Sequence, residues 1–175
     1  MLGPEVRITR DLRKEVMTDL MRPHEFAEER VGFLFGKFVG GTPGLVLLSR
    51  YTPVPDELYE PSEEYGALIN SEAILGTMQS LRDQRGTFEC AFHVHMHGHK
   101  GPPRLSVPDK RSLPKLIPGF QRMSPDAAHG ILVFSFDHGR AWVWPSGENE
   151  PRLAQAIAII GAPLELFSTQ EGGSL

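Results

Sequence analysis

Leu12, Val16, Leu20 and Met21 recur at helical spacing through Asp11–Met21, with Asp11 in N-cap position and Pro23 just past the end, so the segment predicts an amphipathic helix. Val31–Val39 (VGFLFGKFV) and Leu45–Tyr51 are rich in β-branched and aromatic residues, and Gly40-Gly41-Thr42-Pro43-Gly44 lies between them; this predicts two hairpin strands. Pro53–Glu64 holds three prolines and five carboxylates and reads as a surface loop, solvated or in contact with a partner, ahead of a short strand at Ala67–Ile69. Ser71 caps a second helix over about 72–84, in which Ile74, Leu75, Met78 and Leu81 share a face until Gly86 ends it. Thr87–His97 alternates without a breaker and predicts a strand, followed by a turn-rich loop at Gly98–Pro103. Ser106 then caps a helix opening on Val107-Pro108, which Pro114 and Pro118 keep short or kinked. Gly130–Phe136 and Arg140–Trp144 form a hairpin around Asp137-His138-Gly139, and Leu153–Ile160 packs as a helix or a strand. This mixed order with antiparallel pairs predicts an α+β fold, a mixed α/β sandwich whose central, mainly antiparallel sheet is flanked by helices.

Length and composition narrow the function classes. A chain of 175 residues fits one domain, 1–175, and its 40% hydrophobic content is ordinary for a folded one. Lys and Arg number 18 against 22 Asp and Glu, a net charge of -4, which gives no general attraction to nucleic acid or to anionic lipid. The longest apolar runs, around Ile131–Phe136 and Ala156–Ile160, are far too short to span a bilayer. With one cysteine, Cys90, and no basic-then-apolar start, a cytoplasmic chain is expected. The unusual feature is histidine: four of the seven, His93, His95, His97 and His99, fall at alternate positions.

On a strand, residues two apart share a face, so a His-x-His pair near a strand end is a two-nitrogen donor set for zinc. Asp109, in the first turn of the helix capped by Ser106, is the best candidate for a third ligand, which leaves a coordination position open for water. Hydrolysis also needs a carboxylate base that is not itself a ligand. Glu29 is the candidate, because Glu29-Arg30-Val31-Gly32-Phe33-Leu34-Phe35-Gly36-Lys37 places a carboxylate at the entry of a buried strand, with glycines where another backbone can come close.

Taken together, Glu-x-x-Gly-x-Leu-x-Gly-Lys at 29–37, the alternating histidines and Ser106-Val107-Pro108-Asp109 resemble the JAMM (JAB/MPN) zinc metalloprotease family, in particular its prokaryotic-type members. The resemblance implies an MPN, cytidine-deaminase-like fold over most of the chain, with Zn2+ held by His95, His97 and Asp109. It implies that Glu29 is general base and then general acid, and that the Ser106 hydroxyl helps to hold the water or the oxyanion. It further implies amide or isopeptide hydrolysis at the C-terminal tail of a ubiquitin-like or sulfur-carrier-like protein. Among the histidines, His95/His97 is preferred because Val94 and Met96 supply an apolar reverse face and because a longer loop to Ser106 is easier to accommodate than a shorter one. His97/His99 is the runner-up and His93/His95 the third choice, with the unused rings left to orient a ligand or bind substrate. A non-catalytic MPN-type scaffold is the competing expectation, and a zinc deaminase is disfavoured because Cys90 is the only cysteine available as a ligand.

Overall fold

A computed structural model describes residues 3–41, 44–87 and 89–168. Thr42 and Pro43 of the expected turn and Phe88 of the expected strand lie outside the described residues. In chain order the elements are β1 (Gly3–Thr9), α1 (Arg10–Leu20), β2 (Val31–Val39), β3 (Leu45–Pro53), β4 (Tyr59–Glu60), β5 (Leu68–Ile69) and α2 (Ser71–Asp83). They continue as β6 (Cys90–Met96), α3 (Val107–Ser112), α4 (Ile117–Met123), β7 (His129–Phe134), β8 (Gly139–Trp144), β9 (Arg152–Ile160) and β10 (Glu165–Ser168), with single 3-10 turns at Asp56–Leu58 and Leu113–Leu116.

Seven strands close on themselves in the order β1-β3-β2-β6-β7-β8-β9, with β9 returning to β1, and β10 pairs with β9 outside the ring. The pairs β1–β3, β1–β9 and β6–β7 are parallel and the others antiparallel. The protein is therefore a closed, mixed β-barrel built mostly of strands, and the expected helix-flanked α+β sandwich is not what forms. Gly3–Thr9, to which the pattern above assigns no element, is the strand that lies between β3 and β9 and completes the ring. Without it the remaining strands read as an open sheet with edges for helices to cover.

Alternation divides the buried residues between two sides of this wall. All seven ring strands contribute to one cluster, including Val6, Val46, Leu34, Val94, Leu132, Val143 and Ile157, which is the barrel interior. Helix α1 adds Leu12, Val16, Met17 and Leu20 to that same cluster. The outer side of β2, β6, β7 and β8 carries a second cluster, with Phe33, Ile131 and Trp144 packed against Leu81 of α2 and Phe120 of α4. Among the described residues, helices cover only this part of the outside, and the longest of them, α2, has 13 residues.

Helix α1 is capped by Thr9, whose hydroxyl accepts from the Leu12 N–H, so Asp11 lies inside the first turn and is not the cap. Asn70 caps α2 and accepts from Glu72 and Ala73, which places Ser71 inside the helix. Leu153–Ile160 is a strand, the center of β9. Pro53–Glu64 is more than a solvated loop: Tyr59 is buried, and its hydroxyl accepts from the Val31 N–H at 2.8 Å and donates to the Val31 carbonyl at 3.1 Å. Gly36 sits at an irregularity in the β2–β3 register where any Cβ would overlap the Leu47 carbonyl, so a backbone does approach closely there. At Gly32 the neighbor is instead the Tyr51 side chain. No helix among the described residues is long and apolar enough to cross a membrane.

Candidate metal centre

The register of β2 against β6 builds the site. Val31 pairs with His95 and Phe33 with His93, so the same register carried past the end of β2 sets Glu29 opposite His97. His93 and His95 share the outer side of the barrel with Ala91, while Phe92, Val94 and Met96 face the interior, which is the apolar reverse face the sequence calls for. Strand β6 ends at Met96, but the His97 N–H still donates to the Phe134 carbonyl at 2.9 Å, and this holds His97 in line with His95.

The loop after β6 is pinned at Gly101, whose φ of +87° needs glycine; its N–H donates to Asp137 at 2.7 Å and its carbonyl accepts from the Ser135 hydroxyl at 2.7 Å. The chain then enters α3 through a capping box: the Asp109 N–H donates to Ser106 Oγ at 3.2 Å, and the Ser106 N–H donates to Asp109 Oδ2 at 2.8 Å. That reciprocal pair fixes the Asp109 carboxylate. Its Oδ2 lies 3.5 Å from Nε2 of both His95 and His97, and the two Nε2 atoms are 3.1 Å apart.

These separations suit a metal ion. Ligand bonds of about 2.0–2.1 Å at tetrahedral angles place neighboring donors roughly 3.3 Å apart, which the His95, His97 and Asp109 atoms match closely. Donor atoms of Glu29, His95 and His97 also lie within 4.8 Å of one another, so this group could hold a metal ion. His95 is 1% exposed and Glu29 is half-buried. The Glu28 and Glu29 N–H groups donate to the Gly66 carbonyl at 2.8 and 3.1 Å, which ties the Glu29 backbone to the segment before β5. Two cavities meet at Glu29: one of about 280 Å³ bounded by His93, His95, Ser106 and Asp109, and one of about 690 Å³ bounded by Met21, Met96 and Phe136.

Electrostatics follows from this geometry. Burial pushes the Glu29 carboxyl above its ordinary value, with the His95 and His97 rings opposing and Asp109 adding to the rise. Burial also works to raise Asp109, but hydrogen bonding to His95 and His97 outweighs it and holds that carboxyl well below the usual carboxylate range. The Asp109 hydrogen bond raises His97 against the opposing effect of its burial. His93 is pushed down to about 3, chiefly by burial, and so is a neutral imidazole edge-on to Phe33. Nδ1 of His93 and of His95 has no hydrogen-bond partner among the described residues, so the His95 ring is oriented by packing and by its Nε2 contacts with His97 and Asp109.

Of the residues singled out in the sequence, Glu29, His95, His97, Ser106 and Asp109 come together. His99 does not join them: it is exposed, and its Nδ1 lies 2.8 Å from the Lys100 carbonyl. Cys90 is a buried free thiol whose pKa burial pushes up to about 12, which removes it as a nucleophile. His129 belongs to the packing; its Nδ1 accepts from the Ala91 N–H and its Nε2 donates to the Ser124 carbonyl. Burial drives its pKa down from 6.5 to about 4. The unfolded chain therefore binds more protons than the folded one between those values, and stability falls as the pH drops from about 6.5 to about 4. His129→Gln is expected to flatten that part of the profile, by an amount on the order of 3 kcal/mol, in urea midpoints measured across this range. A profile as steep as wild type would assign the loss elsewhere.

Fold and site together define a closed β-barrel carrying a histidine–carboxylate cluster competent for a metal ion on its outer wall. Comparison with known proteins finds no matching family model and no matching curated protein.

Proposed function

We propose that the protein is a zinc-dependent metallopeptidase of the JAMM type that hydrolyses an amide or isopeptide bond. The observation that carries the reading is the triangle of His95 Nε2, His97 Nε2 and Asp109 Oδ2, with sides of 3.1, 3.5 and 3.5 Å, beside a carboxylate from a different strand end. Two imidazoles with one carboxylate suit zinc, and three protein ligands leave the fourth position for water. A zinc ion held by His95, His97 and Asp109 would supply Lewis acidity, lowering the pKa of a bound water toward about 7 and polarising the scissile carbonyl.

The remaining chemistry falls to the chain. Glu29 accepts the water proton on its carboxylate and passes it to the leaving amine, and its burial-raised affinity for a proton suits both halves of that task. Ser106 Oγ accepts from the Asp109 N–H, which leaves its own proton to donate to the substrate carbonyl oxygen. The cavities on either side of Glu29 give an extended chain room on both sides of the scissile bond. By the motif resemblance that chain is the C-terminal tail of a ubiquitin-like or sulfur-carrier-like protein, met in the cytoplasm.

The test is a fusion joining such a tail to a second protein through an amide. Purified protein is expected to contain about one zinc per chain at neutral pH and to cleave the fusion, with cleavage lost on chelation and regained with zinc. Protein that binds no zinc at neutral pH would overturn the reading.

A further inference from the structure

Arg30 follows the proposed base directly, and it is buried, with 2% of its surface exposed. Its guanidinium makes four hydrogen bonds: Nη1 and Nη2 donate to the two carboxylate oxygens of Asp56 at 2.7 and 3.0 Å, Nε donates to the Arg22 carbonyl at 2.9 Å, and Nη2 also donates to the Pro23 carbonyl at 3.0 Å. One planar fork thus fastens both ends of the 22–30 connection and joins it to the 3-10 turn at Asp56–Leu58. The excursion between β3 and α2 is held again at its far end, where the Gly66 carbonyl takes the Glu28 and Glu29 N–H groups. Glu29 stands between these two fastenings, just ahead of Val31, which Tyr59 grips through both its N–H and its carbonyl.

Stability alone is a poor reason for this arrangement. Asp56 is 58% exposed, and a pair with an exposed partner contributes little, while burying a guanidinium is costly. What the bidentate fork supplies is fixed geometry. We propose that Arg30 is a positioning residue: its fork to Asp56 and to the Arg22 and Pro23 carbonyls sets where the Glu29 carboxylate stands against the Nε2 atoms of His95 and His97. The inference rests on the peptidase reading for its consequence in turnover, and on the hydrogen bonds alone for its consequence in backbone order.

The experiment therefore has two arms, applied to Arg30→Lys, which keeps the charge and loses the fork, and to Asp56→Asn, which keeps an acceptor and loses the charge. In the zinc-loaded protein both variants are expected to lower kcat by about 10- to 100-fold, the scale of a small misplacement of a reacting group, with KM within twofold and zinc content unchanged. In the metal-free protein, amide exchange at Glu28 and Glu29 is expected to quicken in both variants, while exchange in β6 and β7 stays at the wild-type rate. Equal exchange at Glu28 and Glu29, or faster exchange with unchanged kcat, overturns the proposal. A wild type without peptidase activity sinks the peptidase reading instead, and the exchange arm then decides whether the clamp orders the segment. Arg30→Met, of similar volume and uncharged, guards against a folding artifact: it is expected to reproduce the lysine variant in both arms, and wild-type behavior from it overturns the proposal.

Discussion

Glu29→Gln is expected to lower kcat by about two to four orders of magnitude while zinc remains bound at one per chain. Glutamine fills the same space and cannot take up and release a proton, so the substitution removes the proton transfer and little else. The carboxylate is half-buried and its pKa is raised by that burial, so its loss should not lower thermal stability. Three outcomes separate the readings. Equal turnover in wild type and variant would dismiss Glu29 as base. Loss of zinc would make Glu29 a ligand, which its place within 4.8 Å of the histidine donors permits. A zinc-bound wild type without hydrolytic activity would favor a scaffold that uses this surface for contacts.

The second large effect concerns the ligands. His95→Ala, His97→Ala and Asp109→Asn are each expected to lose zinc on dialysis and, with it, all measurable cleavage. Asparagine keeps a side-chain oxygen for the Ser106 N–H, so the Asp109 variant keeps an acceptor at the cap and reports on the metal alone. His99→Ala should keep full zinc content and activity, because that ring is exposed and its Nδ1 is engaged by the Lys100 carbonyl. Metal analysis of the four proteins decides the register among the alternating histidines. Zinc loss from His99→Ala, or its retention by His97→Ala, would move the site one step along the chain.

Much of the site was legible in the sequence because its parts are local. Alternating histidines share a face on any strand, Ser106 and Asp109 satisfy one another across three residues, and Val94 and Met96 supply the apolar reverse side. Glu29 was legible only through its surrounding motif, and the register of β2 against β6 is what sets it opposite His97. Arg30 carries no local signal: an arginine at the start of a strand looks solvated until Asp56 and the Arg22 and Pro23 carbonyls fold around it. Tyr59 was hidden for the same reason, by the prolines and carboxylates on either side of it. The fold was legible strand by strand for β2, β3, β6, β7 and β8, but closure was not. It depends on Gly3–Thr9, short and marked only by Val6 and Ile8, pairing in parallel with residues from the other end of the chain.

That seam between β1 and β9 also orders events in time. Val6 lies against Ile157, so the loop it closes spans most of the chain and carries a correspondingly large entropic cost. As the protein emerges from the ribosome, β2, β6, β7 and the helix bearing Asp109 are all available before β9 has been translated. The metal-binding wall can therefore assemble on the nascent chain first, with β1 already held against β3, and the ring closes only when β9 arrives to take the other edge of β1.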